Sequence, residues 1–406
     1  MIREYTSDCV HCGFCLPTCP TYVLWREEMD SPRGRIHLMD ARLDGTIALN
    51  ATVVEHFDRC LGCMACVSSC PSGVRYDRLI ESTRAAVEAE FERPRGDRLV
   101  RGVLFRLLPY PGRMRAALRL APLGRAAPMP KRFRPLVEIA PRWRGRGDVP
   151  ALTRATGTPR ARVGLLTGCV QSAVFPDVNA ATARVLAADG FDVVAPPQGC
   201  CGALSVHAGR LDEGKAFARR LIDAFGDVDL VVVNASGCGS HLKELGWLLE
   251  DDRAEAFAAK VRDVGELLGE TRPRAARHPL PIRVALQDSC HLRHAQRLPL
   301  SSGASLVRIP ALEVVEPAEQ DLCCGSAGIY NVTQAEAARE LGERKAANVL
   351  ATGAQAYASA NPGCLVQVSN ALRRAKQPLP ALHPIELDAA SIRRVGAGAL
   401  LAATRR

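Results

Sequence analysis

Hydrophobic and polar positions along the chain fall into two textures. From Arg162 onward, short apolar runs alternate with helical periods. Arg162-Val-Gly-Leu-Leu-Thr, Phe191-Asp-Val-Val-Ala and Asp229-Leu-Val-Val-Val-Asn read as strands, with helices from Val178 to Ala188 and Leu211 to Ala224 between them. Continuous apolar runs mean strands covered on both faces, so this texture predicts a parallel α/β unit. It then recurs, with Ile282-Arg-Val-Ala-Leu-Gln, Leu312-Glu-Val-Val and Ala356-Tyr-Ala-Ser-Ala as strands and Gln334 to Leu350 as a long helix. Before Arg162 the pattern is helical. Leu79, Ile80, Thr83, Val87 and Phe91 fall on one face of a helix from Tyr76 to Phe91, Ile47 to Phe57 has a similar period, and Ser31-Pro-Arg-Gly-Arg-Ile reads as a turn.

The expected fold class is therefore α+β and multidomain: a small, mostly helical unit followed by two duplicated α/β domains with parallel sheets. The boundaries read as 1–94 for the helical unit, 95–160 for a basic, proline-rich linker, 161–277 for the first α/β domain and 278–406 for the second. At 406 residues the chain has room for this many cores.

Cysteines change the picture most. Cys9-Val-His-Cys12-Gly-Phe-Cys15-Leu-Pro-Thr-Cys19-Pro20 recurs as Cys60-Leu-Gly-Cys63-Met-Ala-Cys66-Val-Ser-Ser-Cys70-Pro71. Both have the spacing C-x2-C-x2-C-x3-C-P, in which three close thiolates hold one face of an iron–sulfur cubane and the fourth cysteine of each run ligates the other run's cluster. One 4Fe-4S centre is thus expected on Cys9, Cys12, Cys15 and Cys70, and a second on Cys60, Cys63, Cys66 and Cys19, close enough for electrons to hop between them. Zinc sites, usually built from two C-x2-C pairs, describe two runs of four poorly. Disulfide frameworks belong to small secreted chains, whereas here the N-terminus lacks an apolar h-region and no run approaches the ~18 apolar residues of a membrane span. The expected location is the cytoplasm.

The remaining eight of the sixteen cysteines repeat in order, as Cys169, Cys200-Cys201-Gly202, Cys238 and then Cys290, Cys323-Cys324-Gly325, Cys364, with offsets of 121, 123 and 126 residues. An internal duplication explains this most simply. Each cysteine follows the carboxyl end of a predicted strand, the edge where parallel sheets bind ligands. Four thiolates per half can converge there. The glycine after each pair is expected to let backbone approach a ligand closely. A further iron–sulfur or metal centre in at least one half is the favoured reading, with a redox dithiol or a structural relic as alternatives. His241, three residues after Cys238, can join the first set if both share a helical turn, and His291 and His294 follow Cys290 closely enough to donate to sulfur or shuttle a proton.

Charge adds one feature. The net charge is +10, yet residues 95–146 alone carry +12, in short amphipathic pieces broken by prolines. Such a segment suits an anionic membrane surface or an acidic partner, or is a solvated linker. Few aromatics interleave with it and no motif accompanies it, so nucleic acid is not expected. No G-x-G-x-x-G follows a strand at the start of a helix, so no flavin or nicotinamide fingerprint is present.

Taken together, Gly168-Cys-Val-Gln171, Cys200-Cys-Gly-Ala-Leu204, Asn234-Ala-Ser-Gly-Cys-Gly239, Asp288-Ser-Cys-His-Leu292 with His294-Ala-Gln296, Cys323-Cys-Gly-Ser-Ala-Gly328 and Asn361-Pro-Gly-Cys364, behind a two-cluster unit, resemble the family of glycolate oxidase iron-sulfur subunits. The iron–sulfur subunit of anaerobic glycerol-3-phosphate dehydrogenase, lactate-utilisation proteins and the cysteine-rich subunits of heterodisulfide reductase share the resemblance. It implies a chain that passes electrons from FAD-containing partner subunits, which oxidise glycolate to glyoxylate, toward a quinone, with peripheral contact to the cytoplasmic membrane. An equivalent lactate or glycerol-3-phosphate dehydrogenase subunit is the nearest alternative, and a catalytic disulfide reductase acting at the Cys-Cys-Gly centres a further one. The heterodisulfide reductase pattern ends each half in C-x2-C; here His241 and Gln367 stand at those last positions.

Overall fold

The computed structural model describes residues 2–126, 133–141, 145, 147, 149–298 and 301–404. The N-terminal unit is helical, with helices Pro20–Trp25, Pro32–Leu43, Ala51–Asp58 and Tyr76–Glu90 around a core of Ile36, Met39, Val54, Phe57, Leu79 and Ile80. The expected turn at Ser31 is instead the start of a helix. Ser31 caps it, its hydroxyl accepting from the Gly34 N–H at 3.0 Å, and Pro32 occupies the first turn. Gly34 is there for space rather than for bending, since a Cβ would lie 1.9 Å from the Glu28 carbonyl oxygen. The following helix begins at Ala51 rather than Ile47 because Asn50 caps it, accepting from the Val53 N–H at 3.0 Å.

The basic stretch is helical where it is described, as Arg95–Leu107, Pro111–Ala126 and Arg134–Ile139. Val100, Leu104 and Phe105 pack against Ile329 and Val332, while Met114 and Leu118 join the core of the α/β region. The part of the stretch at 127–132, 142–144, 146 and 148, with two of its prolines, lies outside the described residues.

Among the described residues nine strands follow: β1 (Leu152–Thr153), β2 (Arg162–Leu166), β3 (Asp192–Val194), β4 (Leu230–Val233), β5 (Val261–Asp263), β6 (Ile282–Gln287), β7 (Leu312–Val315), β8 (Ala356–Ser359) and β9 (Ala381–Leu382). They form two sheets, ordered β1-β3-β2-β4-β5 and β7-β6-β8-β9. All pairings are parallel except β1 with β3, which is antiparallel. The order β3-β2-β4 in the first half and β7-β6-β8 in the second is the same topology twice.

The halves share a core. Helix Pro176–Ala188 of the first packs on helix Pro384–Ile392 of the second, and Leu186, Val193 and Val232 lie in one apolar cluster with Tyr357, Leu365 and Val368. A buried ion triad crosses the junction. Arg277 grips Asp189 with two hydrogen bonds of 2.9 and 2.8 Å and reaches Asp388 at 3.3 Å, all three side chains being at most 3% exposed. Among the described residues no helix is long and apolar enough to cross a membrane.

Candidate metal centres

The two cysteine runs fold alike. Alternate residues of each are left-handed: His11 (φ 52°) and Gly13 (φ 88°) in the first run, Gly62 (φ 63°) and Met64 (φ 62°) at the matching positions of the second. Such turns gather backbone N–H groups into a concavity suited to an anion such as an iron–sulfur cluster. The strain of a left-handed His11 and Met64 is offset by what surrounds them: Arg33 Nη1 donates to the His11 carbonyl at 2.9 Å, and Met64 is buried in the core.

Cys60, Cys63 and Cys66 line one small cavity together with Cys19 of the other run, Arg35 and Tyr76. These four thiols are all buried. In the other set, burial pushes Cys9 up, and the neighbouring Cys70 and Cys12 thiols add to it. Cys15 is pushed up to about 11 by burial, with Cys19 and Cys9 adding. Cys12 is exposed, beside exposed Val10 and Phe14. One set thus opens to the surface and the other lies inside.

Around the inner set the charges are arranged for thiolates. Burial alone opposes ionisation of Cys60, but the Arg35 and Arg84 guanidiniums overcome it and hold the thiol below its usual value; the Gly62 N–H, 3.4 Å from Sγ, and the Tyr76 hydroxyl, 3.7 Å away, point the same way. Arg35 is 1% exposed; it pairs with Asp30 at 3.3 Å and donates to Thr21 and the His56 carbonyl. Cys63 and Cys66 are pushed far up by burial, which the neighbouring thiols reinforce. Bound iron removes that cost by replacing the proton.

In the first half Cys169, Cys200, Cys201 and Cys238 meet at the carboxyl edge of β2 and its neighbours. Cys169 Sγ and Cys200 Sγ are 3.5 Å apart, and the neighbouring Cys200 and Cys238 thiols, with burial, push the Cys201 thiol well up. In the second half Cys290 Sγ is 3.8 Å from Cys323 Sγ, and Cys324 stands between Cys323 and Cys364, its thiol raised to about 12 chiefly by the Cys323 hydrogen bond. The glycines after the pairs are left-handed, at φ 99° for Gly202 and 87° for Gly325. A Cβ there would lie 2.6 Å from the Gly214 carbonyl and 2.7 Å from that of Ala338. At both glycines the backbone of a later helix comes close, Leu211–Phe225 at Gly202 and Ala335–Ala351 at Gly325.

The second quartet abuts the inner cubane set: Cys63 shares an apolar cluster with Leu322 and Cys323, and the Cys323 thiol is the largest contributor after burial to the rise of Cys63. His241 is 5% exposed, with the Cys201 backbone and the Cys200 thiol against its ring, and burial, helped by His207, lowers it to about 4. Gln367, at the matching place, donates to the Ala338 carbonyl at 2.6 Å and is taken up in the backbone. His294 is a tether, its ring bonded to Ser68 at 2.7 Å and to the Asp321 carbonyl at 3.2 Å. Sequence reading missed His207. It stands seven residues after Cys200, where the duplication places Tyr330 after Cys323, a correspondence that was open to inspection.

Among the described residues no three histidine, cysteine, aspartate or glutamate side chains close on a single-ion site. A cubane binds each thiolate to a different iron and spreads them wider, so the cavity shared by Cys19, Cys60, Cys63 and Cys66 fits a cluster.

Fold and site together define a two-cluster iron–sulfur chain with a duplicated cysteine-rich region. Residues 5–74 match the 4Fe-4S dicluster domain family, and residues 163–243 and 284–369 match the cysteine-rich domain family. Over 395 residues the chain is 38% identical to the "Probable glycolate oxidase iron-sulfur subunit" of Bacillus subtilis (strain 168), covering 90% of this chain and 89% of that protein. It is 36% identical over 379 residues to the "Glycolate oxidase iron-sulfur subunit" of Escherichia coli (strain K12), covering 90% of each. A shorter likeness, 32% over 217 residues, links 53% of the chain to 43% of a fumarate reductase (CoM/CoB) subunit of Methanothermobacter marburgensis. The chain belongs to the glycolate oxidase iron-sulfur subunit family.

Proposed function

We propose that this chain is the electron-transfer subunit of a glycolate-oxidising complex. An FAD-containing partner oxidises glycolate to glyoxylate, and the electrons cross this chain toward a quinone. Cys9, Cys12, Cys15 and Cys70 hold the outer 4Fe-4S cluster; Cys60, Cys63, Cys66 and Cys19 hold the inner one. The observation that carries the reading is the cavity lined by three cysteines of the second run and Cys19 of the first; it supports crossed ligation, which would bring two clusters within hopping distance. When bound, the clusters supply one-electron steps between a two-electron donor and acceptor. The chain's own residues bury the inner site, surround it with Arg35 and Arg84, and direct the Gly62 N–H at sulfur, the levers by which a protein sets cluster potential.

Electrons enter where Cys12 is exposed between Val10 and Phe14, and the way inward continues from Cys63 to the second cysteine quartet. Cys169, Cys200, Cys201 and Cys238, with His241 beside them, and Cys290, Cys323, Cys324 and Cys364 are the ligand sets for further centres. The working division is 1–94, 95–160, 161–277 and 278–406. The chain works in the cytoplasm, with helix Pro111–Ala126 resting on the membrane surface.

Iron and acid-labile sulfide counted on anaerobically purified complex test the assignment. About eight irons and about eight sulfides per chain are expected from the two cubanes, and a clear excess shows the quartets loaded as well. Cys19→Ser is expected to halve the cubane iron although it lies in the first run, removing the inner cluster's paramagnetic signal and sparing the outer one; loss of the outer signal alone sinks the crossed ligation.

A further inference from the structure

Three units of the chain meet at a cavity of about 290 Å³ that the cysteine sites leave unused. The helical unit contributes Met64 and Val67, the first half His207, His241 and Trp247, and the second half His291 and Gln296. Its lining is chemically divided. Met64, Val67, Trp247 and Leu248 form the apolar, partly aromatic part of a lining that also holds the charged Arg75, Asp77, Glu81, Glu244 and Arg297. Against the apolar part stand His207 Nε2, His241 Nε2, His291 Nε2 and Gln296 Oε1, four buried polar atoms without a protein partner. Unpaired buried polar atoms are costly and rare, so four in one cavity point to an occupant.

The other ends of these side chains are engaged. His207 Nδ1 meets Glu81 Oε1 at 2.7 Å, and Gln296 Nε2 donates to the Ser236 carbonyl at 3.1 Å. With Nδ1 donating to Glu81, His207 presents Nε2 to the cavity as an acceptor, like Gln296 Oε1. The ring of His207 lies 6.2 Å from that of His241 at 74° and 5.5 Å from that of His291, so the three imidazoles form one cluster. The cavity also touches every interior cysteine set: Met64 lies between Cys63 and Cys66, the ring of His241 faces Cys200, and His291 adjoins Cys290.

A slot that is part apolar and part polar, with hydrogen-bond acceptors at the convergence of the electron carriers, fits a planar aromatic molecule bearing hydroxyl groups. We propose that this cavity is the acceptor site, binding a quinone and releasing it as the quinol. This rests on the electron-transfer reading above. The quinone takes two electrons, one at a time from the clusters, supplied by the hydroxy acid oxidised on the partner, and two protons from solvent. Arg75, Asp77 and Glu244 also line the cavity, a polar path for those protons. The quinol's new hydroxyls donate to His207 Nε2 and Gln296 Oε1, bonds that the oxidised form lacks, so the site favours the reduced product while it is bound.

The test uses the intact complex with its flavin partner. A fluorescent hydroxyquinoline N-oxide, a quinone mimic, is titrated by quenching, and hydroxy-acid-dependent reduction of decylubiquinone is compared with that of ferricyanide. Gln296→Leu and Trp247→Ala are each expected to weaken probe binding at least tenfold and to lower the ratio of quinone to ferricyanide turnover by a similar factor; a variant that loses iron is set aside in favour of the other. If the unaltered complex reduces quinone but both variants bind the probe as it does, the cavity is not the site and the electron-transfer reading stands. If the unaltered complex reduces ferricyanide and no quinone, the acceptor assignment itself falls.

Discussion

His383 shows how one residue ties stability to pH. It is 1% exposed at the start of helix Pro384–Ile392, where its Nδ1 accepts from the Ile385 N–H at 3.1 Å and its own N–H donates to Glu386 at 2.8 Å. Burial lowers its pKa to about 3. The folded chain therefore keeps His383 neutral where the unfolded chain, with an ordinary value of about 6.5, takes up a proton. Its contribution is complete above about 6.5 and is lost as pH falls toward 3, because a proton on Nδ1 abolishes the cap. From pH 7 to 5.5 this costs roughly 1 kcal/mol. His383→Asn caps without titrating, so its denaturation midpoint is expected to change less over that interval. Parallel losses in both proteins would remove His383 as the cause.

At the scale of elements, the same loop is built twice with different residues. The left-handed positions of the cysteine runs are His11 and Gly13 in one copy and Gly62 and Met64 in the other, so the conformation is imposed by the site and not by glycine. Helix Pro111–Ala126 is an element whose outer surface remains apolar: Leu120 is 62% and Leu123 70% exposed, while Met114 and Leu118 hold its inner face in the core. With Arg113 and Arg119 on the same helix, and basic residues worth about 1 kcal/mol each near an anionic surface, it suits a lipid headgroup layer. The complex is expected to sediment with phosphatidylglycerol vesicles at low salt and to lose this in high salt. Leu120→Glu with Leu123→Glu should weaken binding at least tenfold; unchanged sedimentation of that variant would exclude the helix as the contact.

For the whole molecule, what matters is that the three units are locked at fixed separations, since electron transfer depends on distance. Arg277 is the clearest lock, holding Asp189 of the first half and Asp388 of the second in a buried triad. Arg277→Met leaves two buried carboxylates without their cation, and removing one partner of a buried pair costs about 3–5 kcal/mol. Denaturant unfolding is expected to begin earlier and to separate into two transitions as the halves uncouple. A loss below about 1 kcal/mol with one sharp transition would show that the shared apolar core alone joins the halves.

Much of this was legible along the chain because it is local. Strands β2, β4, β6 and β8 and the helices between them declare themselves through apolar runs and a 3.6 period, and the spacing of Cys9 to Cys19 and Cys60 to Cys70 sets each cluster loop within a dozen residues. The duplication is likewise a property of order along the chain. Other features depend on contacts between residues far apart in sequence, for which no periodicity exists. Arg35 looks like a surface arginine until Asp30, Thr21 and the His56 carbonyl enclose it. The duplication aligns His207 with Tyr330 but gives it no partner; its place beside His241 and His291 arises only when three units pack together. Spacing along the chain determined how the cysteines group into sets, and packing between distant segments decided which set is buried, what it adjoins and where a cavity remains.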